Sequence, residues 1–165
     1  MSWWKQRKTL EAGSQAPDFE LRTLSGASES LKGILARGPA LLAFFKVSCP
    51  VCQFTFPFLE RIWQGAGRGA VQFLAISQDD ARATQEFNRQ FGITFPALLD
   101  EAGKGYPVSN AFGITTVPSL FLIEPDGSMS SALSGFSKKA VAELGQRAGV
   151  APFRPEEYVP EWQAG

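Results

Sequence analysis

Unbroken apolar runs alternate along the chain with stretches in which apolar residues recur at helical spacing. Gly13 to Phe19 is an extended lead-in. Phe19-Glu-Leu-Arg-Thr-Leu24 alternates apolar and polar, which predicts a half-buried strand turned by Ser25-Gly26. Pro39 to Val47 holds the run Ala-Leu-Leu-Ala-Phe-Phe and predicts a central strand buried on both faces. A helix follows from about Pro50 to Gln64, with Phe54, Phe58 and Ile62 recurring along one face. Val71 to Ser77 predicts a second buried strand, and Ala81 to Phe91 a helix capped at Asp79 or Asp80. A short extended piece over Phe95 to Leu99 and a short helix over Val108 to Phe112 come next. Ser119 to Glu124 predicts a strand, Pro125-Asp126-Gly127 a turn, and Ser131 to Ser134 the returning strand. Ser137 caps a last helix that ends near Ala148, with Gly149 as its stop. Strands alternating with helices predict an α/β domain over residues 1–149, of which 1–15 form an N-terminal extension. Residues 150–165 carry three prolines and no periodicity. They are expected to form an irregular tail, pinned to the body by Phe153, Tyr158 and Trp162.

Composition narrows what such a domain does. The 165 residues suffice for one sizeable core, and 14 phenylalanines predict that rings fill much of it. Lys plus Arg equals Asp plus Glu at 16 each, and no basic stripe stands out, so nucleic acid is not an expected partner. The chain has no histidine. That removes the commonest metal ligand and general base, together with any Ser-His-Asp or Cys-His arrangement. No apolar run approaches the roughly eighteen residues of a membrane-spanning helix. The start, Met1-Ser-Trp-Trp-Lys-Gln-Arg-Lys8, is positively charged but lacks the apolar stretch of a secretory signal. As written, the sequence predicts a cytoplasmic protein; if it is a truncated piece, an exported or membrane-associated location applies.

The chemistry lies at Cys49-Pro50-Val51-Cys52, the only two cysteines of the chain. They follow the central strand and open the helix. Two intervening residues bring both sulfurs onto the first helical turn, close enough to bridge. Unpaired N–H groups and the positive end of the helix dipole favour a thiolate there. Pro50 suits the first turn, where its missing N–H costs nothing. Cys49, at the exposed tip, is the expected attacking sulfur. Cys52, one turn in, is expected to resolve the mixed disulfide. Three plainer readings compete: half of a zinc site shared between chains, a purely structural disulfide, and two buried reduced thiols without chemistry. The first needs a second cysteine pair, and the second would close a loop too short to constrain the unfolded chain much.

Taken together, these features resemble the thioredoxin superfamily, and within it the TlpA-like and AhpC/TSA (redoxin) branch, over roughly Gly13 to Gly149. Ala16-Pro17-Asp18-Phe19 is similar to the N-terminal signature of that branch, and the CxxC follows the central strand. Pro57 stands where these proteins place a helix proline. Thr116-Val117-Pro118 precedes the strand at Ser119, where they carry a cis proline. Glu124-Pro-Asp-Gly127 resembles their hairpin turn, and the strand and helix between Ser77 and Phe112 resemble their central insertion. The resemblance implies a thioredoxin-like fold, a central mixed sheet flanked by helices. It also implies a protein thiol–disulfide oxidoreductase that needs no dissociable cofactor or metal. Its partners would be a protein dithiol or disulfide and an upstream redox protein. Val117 and Pro118 would contact substrate, and Pro50, Val51 and Pro57 would support the redox turn.

The chain also departs from the family pattern. Ser48 replaces the common Trp before the first cysteine. Ala43, beside Phe44 and Phe45, stands where many relatives carry an acid beneath the cysteines. Glu60 is on the active-site helix but far along it, and Lys46 is either a thiolate-favouring cation or a solvated surface lysine. A thiol peroxidase with Cys52 as the peroxidatic sulfur is the chief alternative. Cys49 would then stand in place of the usual Thr, Phe45 in place of the usual Pro, and no Arg precedes Ser119. A third reading is a non-catalytic binding module. Trp3-Trp4 beside Lys5, Arg7 and Lys8 suits a partner or membrane-surface contact, or else covers the domain's own edge.

Overall fold

A computed structural model describes residues 9–67 and 70–165; Trp3, Trp4 and their basic neighbours lie outside the described residues. In chain order the elements are β1 (Glu20–Thr23), β2 (Ser28–Ser30), α1 (Leu31–Leu35), β3 (Ala40–Phe45), α2 (Pro50–Gly65), β4 (Gln72–Ser77), α3 (Ala81–Phe91), β5 (Ala97–Leu99), α4 (Pro107–Ala111), β6 (Ser119–Ile123), β7 (Met129–Ser134), β8 (Phe136–Ser137), α5 (Lys138–Ala148) and β9 (Trp162–Gln163). Seven strands form a mixed sheet in the order β2-β1-β5-β4-β3-β6-β7. The pairs β3–β4 and β4–β5 are parallel, and β3–β6, β6–β7, β1–β5 and β1–β2 antiparallel. This is the expected thioredoxin-like architecture.

The apolar run at Ala40–Phe45 is central because every one of its side chains finds cover. Alternate residues face opposite layers. Leu41, Ala43 and Phe45 join Cys52, Phe56 and Leu59 of α2, Phe87 of α3, and Val141 and Leu144 of α5 in one core. Leu42 and Phe44 join Leu31 and Ile34 of α1, Val108 of α4 and Phe112 at the end of α4 in the other. Rings fill the first core. Phe45 stacks at 4.6 Å on Phe56 and 4.8 Å on Phe87, and Phe56 reaches Phe95 at 5.7 Å. Such pairs add about 0.5–1.5 kcal/mol each beyond the area they bury.

Helix α2 runs continuously through Pro57 and is buried on two sides. Phe54 and Phe58 face Phe136, while Cys52, Phe56 and Leu59 face the sheet. Glu60 is buried as well, and its carboxylate accepts from Thr94 N (2.7 Å), Thr94 Oγ1 (2.6 Å), Phe95 N (3.2 Å) and Gln64 Nε2 (2.6 Å). It ties the helix to the loop before β5.

Helix caps follow the expected chemistry. Asp80 Oδ1 accepts from Ala83 N at 2.8 Å, and Ser137 Oγ from Ala140 N at 3.2 Å. Gly149 ends α5 with φ 76°, a left-handed conformation that favours glycine. Strand β2 and helix α1 were not expected: Ser28-Glu-Ser30 is polar, and five residues are too short to show a helical period.

The tail corrects another expectation. Phe153 does pack on Phe58, at 5.1 Å between rings, but Tyr158 and Trp162 are 92% and 60% exposed. The tail is held by polar anchors and by Pro152 and Val159, which are buried. Its end is not irregular, because β9 pairs with β8, Ser137 opposite Trp162. The main anchor is Arg61, which donates to Glu157 (2.6 and 2.7 Å) and to the Pro152 carbonyl (3.0 Å).

The Arg61 hydrogen bond, aided by the Arg154 N–H, holds the Glu157 carboxyl down at about 2. A depressed carboxyl stabilises the fold above its ordinary range, and that contribution is lost as pH falls toward 2. Glu157→Gln is therefore expected to raise amide hydrogen exchange across Arg154–Val159 at neutral pH, and the difference from the parent protein should vanish near pH 2. Mass spectrometry reads this directly. Equal exchange at neutral pH would mean that the tail is held by Pro152, Phe153 and Val159 alone.

Candidate active site

Cys49 is the N-cap of α2, and its sulfur accepts from Cys52 N at 3.1 Å. Pro50 follows at the first helical position, where no donor is lost. The Cys49 thiol donates to the Val117 carbonyl at 3.4 Å. Cys49 is half-buried, Cys52 is fully enclosed, and both are free thiols. Burial pushes the Cys52 thiol well above its ordinary range, and its hydrogen bond with the Cys49 sulfur pushes it further the same way. Of the two sulfurs, only that of Cys49 opens onto the groove formed with Lys46, Gln78, Thr116 and Val117.

The turn between β3 and α2 is fixed by residues that the sequence did not single out. Asp79 Oδ2 accepts from Val47 N at 2.8 Å, and Gln53 Nε2 donates to the Val47 carbonyl at 2.9 Å. The sequence marks Asp79 only as a possible helix cap. Since Asp80 takes the cap, Asp79 is free to hold the redox turn. The signal is the Asp-Asp pair one residue past a buried strand, one acid more than a cap requires. Cys49 N also donates to the Lys46 carbonyl at 3.2 Å, which closes the turn.

The remaining predicted residues divide into those near the sulfurs and those away from them. The Val117–Pro118 peptide bond is cis, as the resemblance implied. Val117 packs against the core that holds Cys52, as do the half-buried Cys49 and Val51. Pro57 lies within α2, a little over two turns past Cys49. Ala43 is buried in the same core as Cys52 and brings no acid beneath it. Glu60, the other carboxylate considered, is committed to Thr94 and Phe95. The Lys46 side chain is exposed at the groove rim. The residues leading into β6, Thr115 to Pro118, include no arginine.

Residues 12–132 match the model of the AhpC/TSA family. The thiol-disulfide oxidoreductase ResA of Geobacillus thermodenitrificans is 27% identical over 139 residues, 84% of this chain and 78% of that protein. The solved thioredoxin domain of a Bacteroides vulgatus thiol-disulfide oxidoreductase superposes with a TM-score of 0.74 at 18% identity, covering 84% of this chain and 99% of that one. A secreted Mycobacterium tuberculosis disulfide oxidoreductase, homologous to DsbE of E. coli, is 25% identical with a TM-score of 0.62, over 79% and 94% of the two chains. The fold, the family match and these relatives agree: the chain belongs to the AhpC/TSA family and is an oxidoreductase with the thioredoxin-like fold.

Proposed function

We propose that the protein exchanges disulfides with protein substrates through Cys49 and Cys52. The observation that carries this reading is the unequal placement of the sulfurs on one helical turn, Cys49 half-buried at the groove and Cys52 enclosed. In the reducing direction the Cys49 thiolate attacks a substrate disulfide. A Cys49–substrate bond forms, and the other substrate sulfur leaves. Cys52 then attacks Cys49 Sγ, giving its proton to a departing substrate sulfur. The Cys49–Cys52 disulfide forms and the substrate gains two electrons. Because the leaving sulfur takes the proton, no acid beneath Cys52 is required, which fits Ala43. An upstream dithiol restores the pair, and the same steps in reverse oxidise a substrate. The backbone at Val117, with Pro118 behind it, offers an edge for an extended substrate segment. Pro50 and Val51 set the redox turn, and Pro57 lies in the helix that carries it. The secreted relative supports an exported or membrane-associated location over a cytoplasmic one. No helix among the described residues is long and apolar enough to cross a membrane.

Burial of Cys52 weighs against the peroxidase reading, since peroxide would have to reach an enclosed neutral thiol. The roles are tested by alkylating the reduced protein with less than one equivalent of iodoacetamide at neutral pH and mapping the label by mass. The label is expected on Cys49, with Cys52 modified only after unfolding. First labelling of Cys52 would overturn the assignment and revive the peroxidase, for which hydrogen peroxide consumption is the check.

A further inference from the structure

Residues 161–165 are all exposed, yet they cross the surface toward the active site. The Glu161 carbonyl accepts from Lys138 N at 3.0 Å, and β9 then pairs with β8. There the strand presses on Gly135, where any side chain would run into the Gln163 carbonyl. Gly135 itself has φ 80° and donates to the Pro118 carbonyl at 2.8 Å. At Gly165 the segment reaches Thr116 and Val117. A Cβ at Gly165 would collide with the Val117 carbonyl and come within 2.9 Å of Thr116 Oγ1. Gly165 thus closes one side of the groove that holds Cys49, against the carbonyl that accepts from the Cys49 thiol.

We propose that residues 161–165 are a displaceable strap that sets substrate specificity by occupying the Val117 edge of the Cys49 groove. The inference rests on the exchange reading above. An extended polypeptide must move the strap aside to lie along Val117, whereas a small disulfide reaches Cys49 with the strap in place. Two features make the strap displaceable. Backbone hydrogen bonds and one exposed ion pair, Lys138–Glu161 at 3.9 Å, hold it. None of its side chains is buried, including Trp162. Segments so held open at small cost. The close approach itself depends on glycine at positions 135 and 165.

The test compares the full chain with a variant lacking residues 161–165, and with Gly165→Val, which expels the strap by collision. Each is assayed for reduction of insulin, a polypeptide disulfide, and of glutathione disulfide, a small one. Circular dichroism confirms that each variant folds. Both variants are expected to raise kcat/KM for insulin about tenfold, the gain when an open state populated at about 10% becomes fully populated. The rate with glutathione disulfide should stay unchanged. Equal changes with the two substrates, or no change with either, would overturn the strap. A fall in insulin reduction alone would show instead that the segment helps to bind polypeptide, and would also overturn it. If the full chain and both variants reduce neither substrate, the exchange reading itself fails and the strap falls with it.

Discussion

Cys49→Ser is expected to abolish disulfide exchange, while Cys52→Ser stops it halfway with substrate covalently attached at Cys49. The asymmetry follows from placement. Cys49 is the sulfur at the groove, so its loss removes the nucleophile and lowers turnover by several orders of magnitude. Cys52 is enclosed beneath it, and its backbone N–H donates to Cys49 Sγ at 3.1 Å. Serine there cannot displace the substrate from the mixed disulfide. Insulin reduction reports turnover, and non-reducing gel shift with intact mass reports the trapped adduct. Undiminished turnover in Cys52→Ser would mean that an external thiol resolves the intermediate. Substrate trapped by Cys49→Ser instead would exchange the two roles.

The largest stability loss is expected at Phe56, whose ring is fully buried between Phe45, Phe87 and Phe95. Phe56→Ala removes three ring contacts and opens a cavity between α2 and the sheet. The loss should be about 3–5 kcal/mol. For a chain of this length that corresponds to a fall in Tm of roughly 6–20 °C. Heat or urea unfolding of the reduced protein measures it, and Tyr158→Ala serves as the control because that ring is 92% exposed. A loss at Phe56 no larger than the control's would mean that the helix is not seated on the sheet as described.

Cys49, Cys52 and Phe56 also show how much of the molecule is legible in its sequence. Cys49 and Cys52 could be read directly, because a CxxC between a buried run and a helical period has few structural settings. The central strand was equally plain, since six consecutive apolar residues demand cover on both faces. Phe56 was not singled out. The spacing of Phe54, Phe58 and Ile62 marks one side of α2, but the helix is buried on two sides, and a single periodic stripe cannot describe it. The hold of Asp79 and Gln53 on the redox turn escapes the sequence for another reason. Both act through hydrogen bonds to the Val47 backbone, and such bonds leave no periodic trace. The tail meets its expectation only at Phe153, on similar grounds. Its aromatic residues suggested apolar anchors, whereas Arg61 and backbone pairing carry much of the attachment, and Tyr158 and Trp162 remain in solvent.

The most direct measurement equilibrates the pure protein against glutathione buffers of graded ratio and reads the Cys49–Cys52 state by alkylation and intact mass. A working Cys49–Cys52 pair passes through one reversible two-electron transition within the span of working oxidoreductases, roughly −120 to −270 mV. A value near the low end would mark a reductant, and one near the high end an oxidant. A pair that stays oxidised below about −300 mV, as structural disulfides do, or that never forms an intramolecular bond, would contradict the exchange reading.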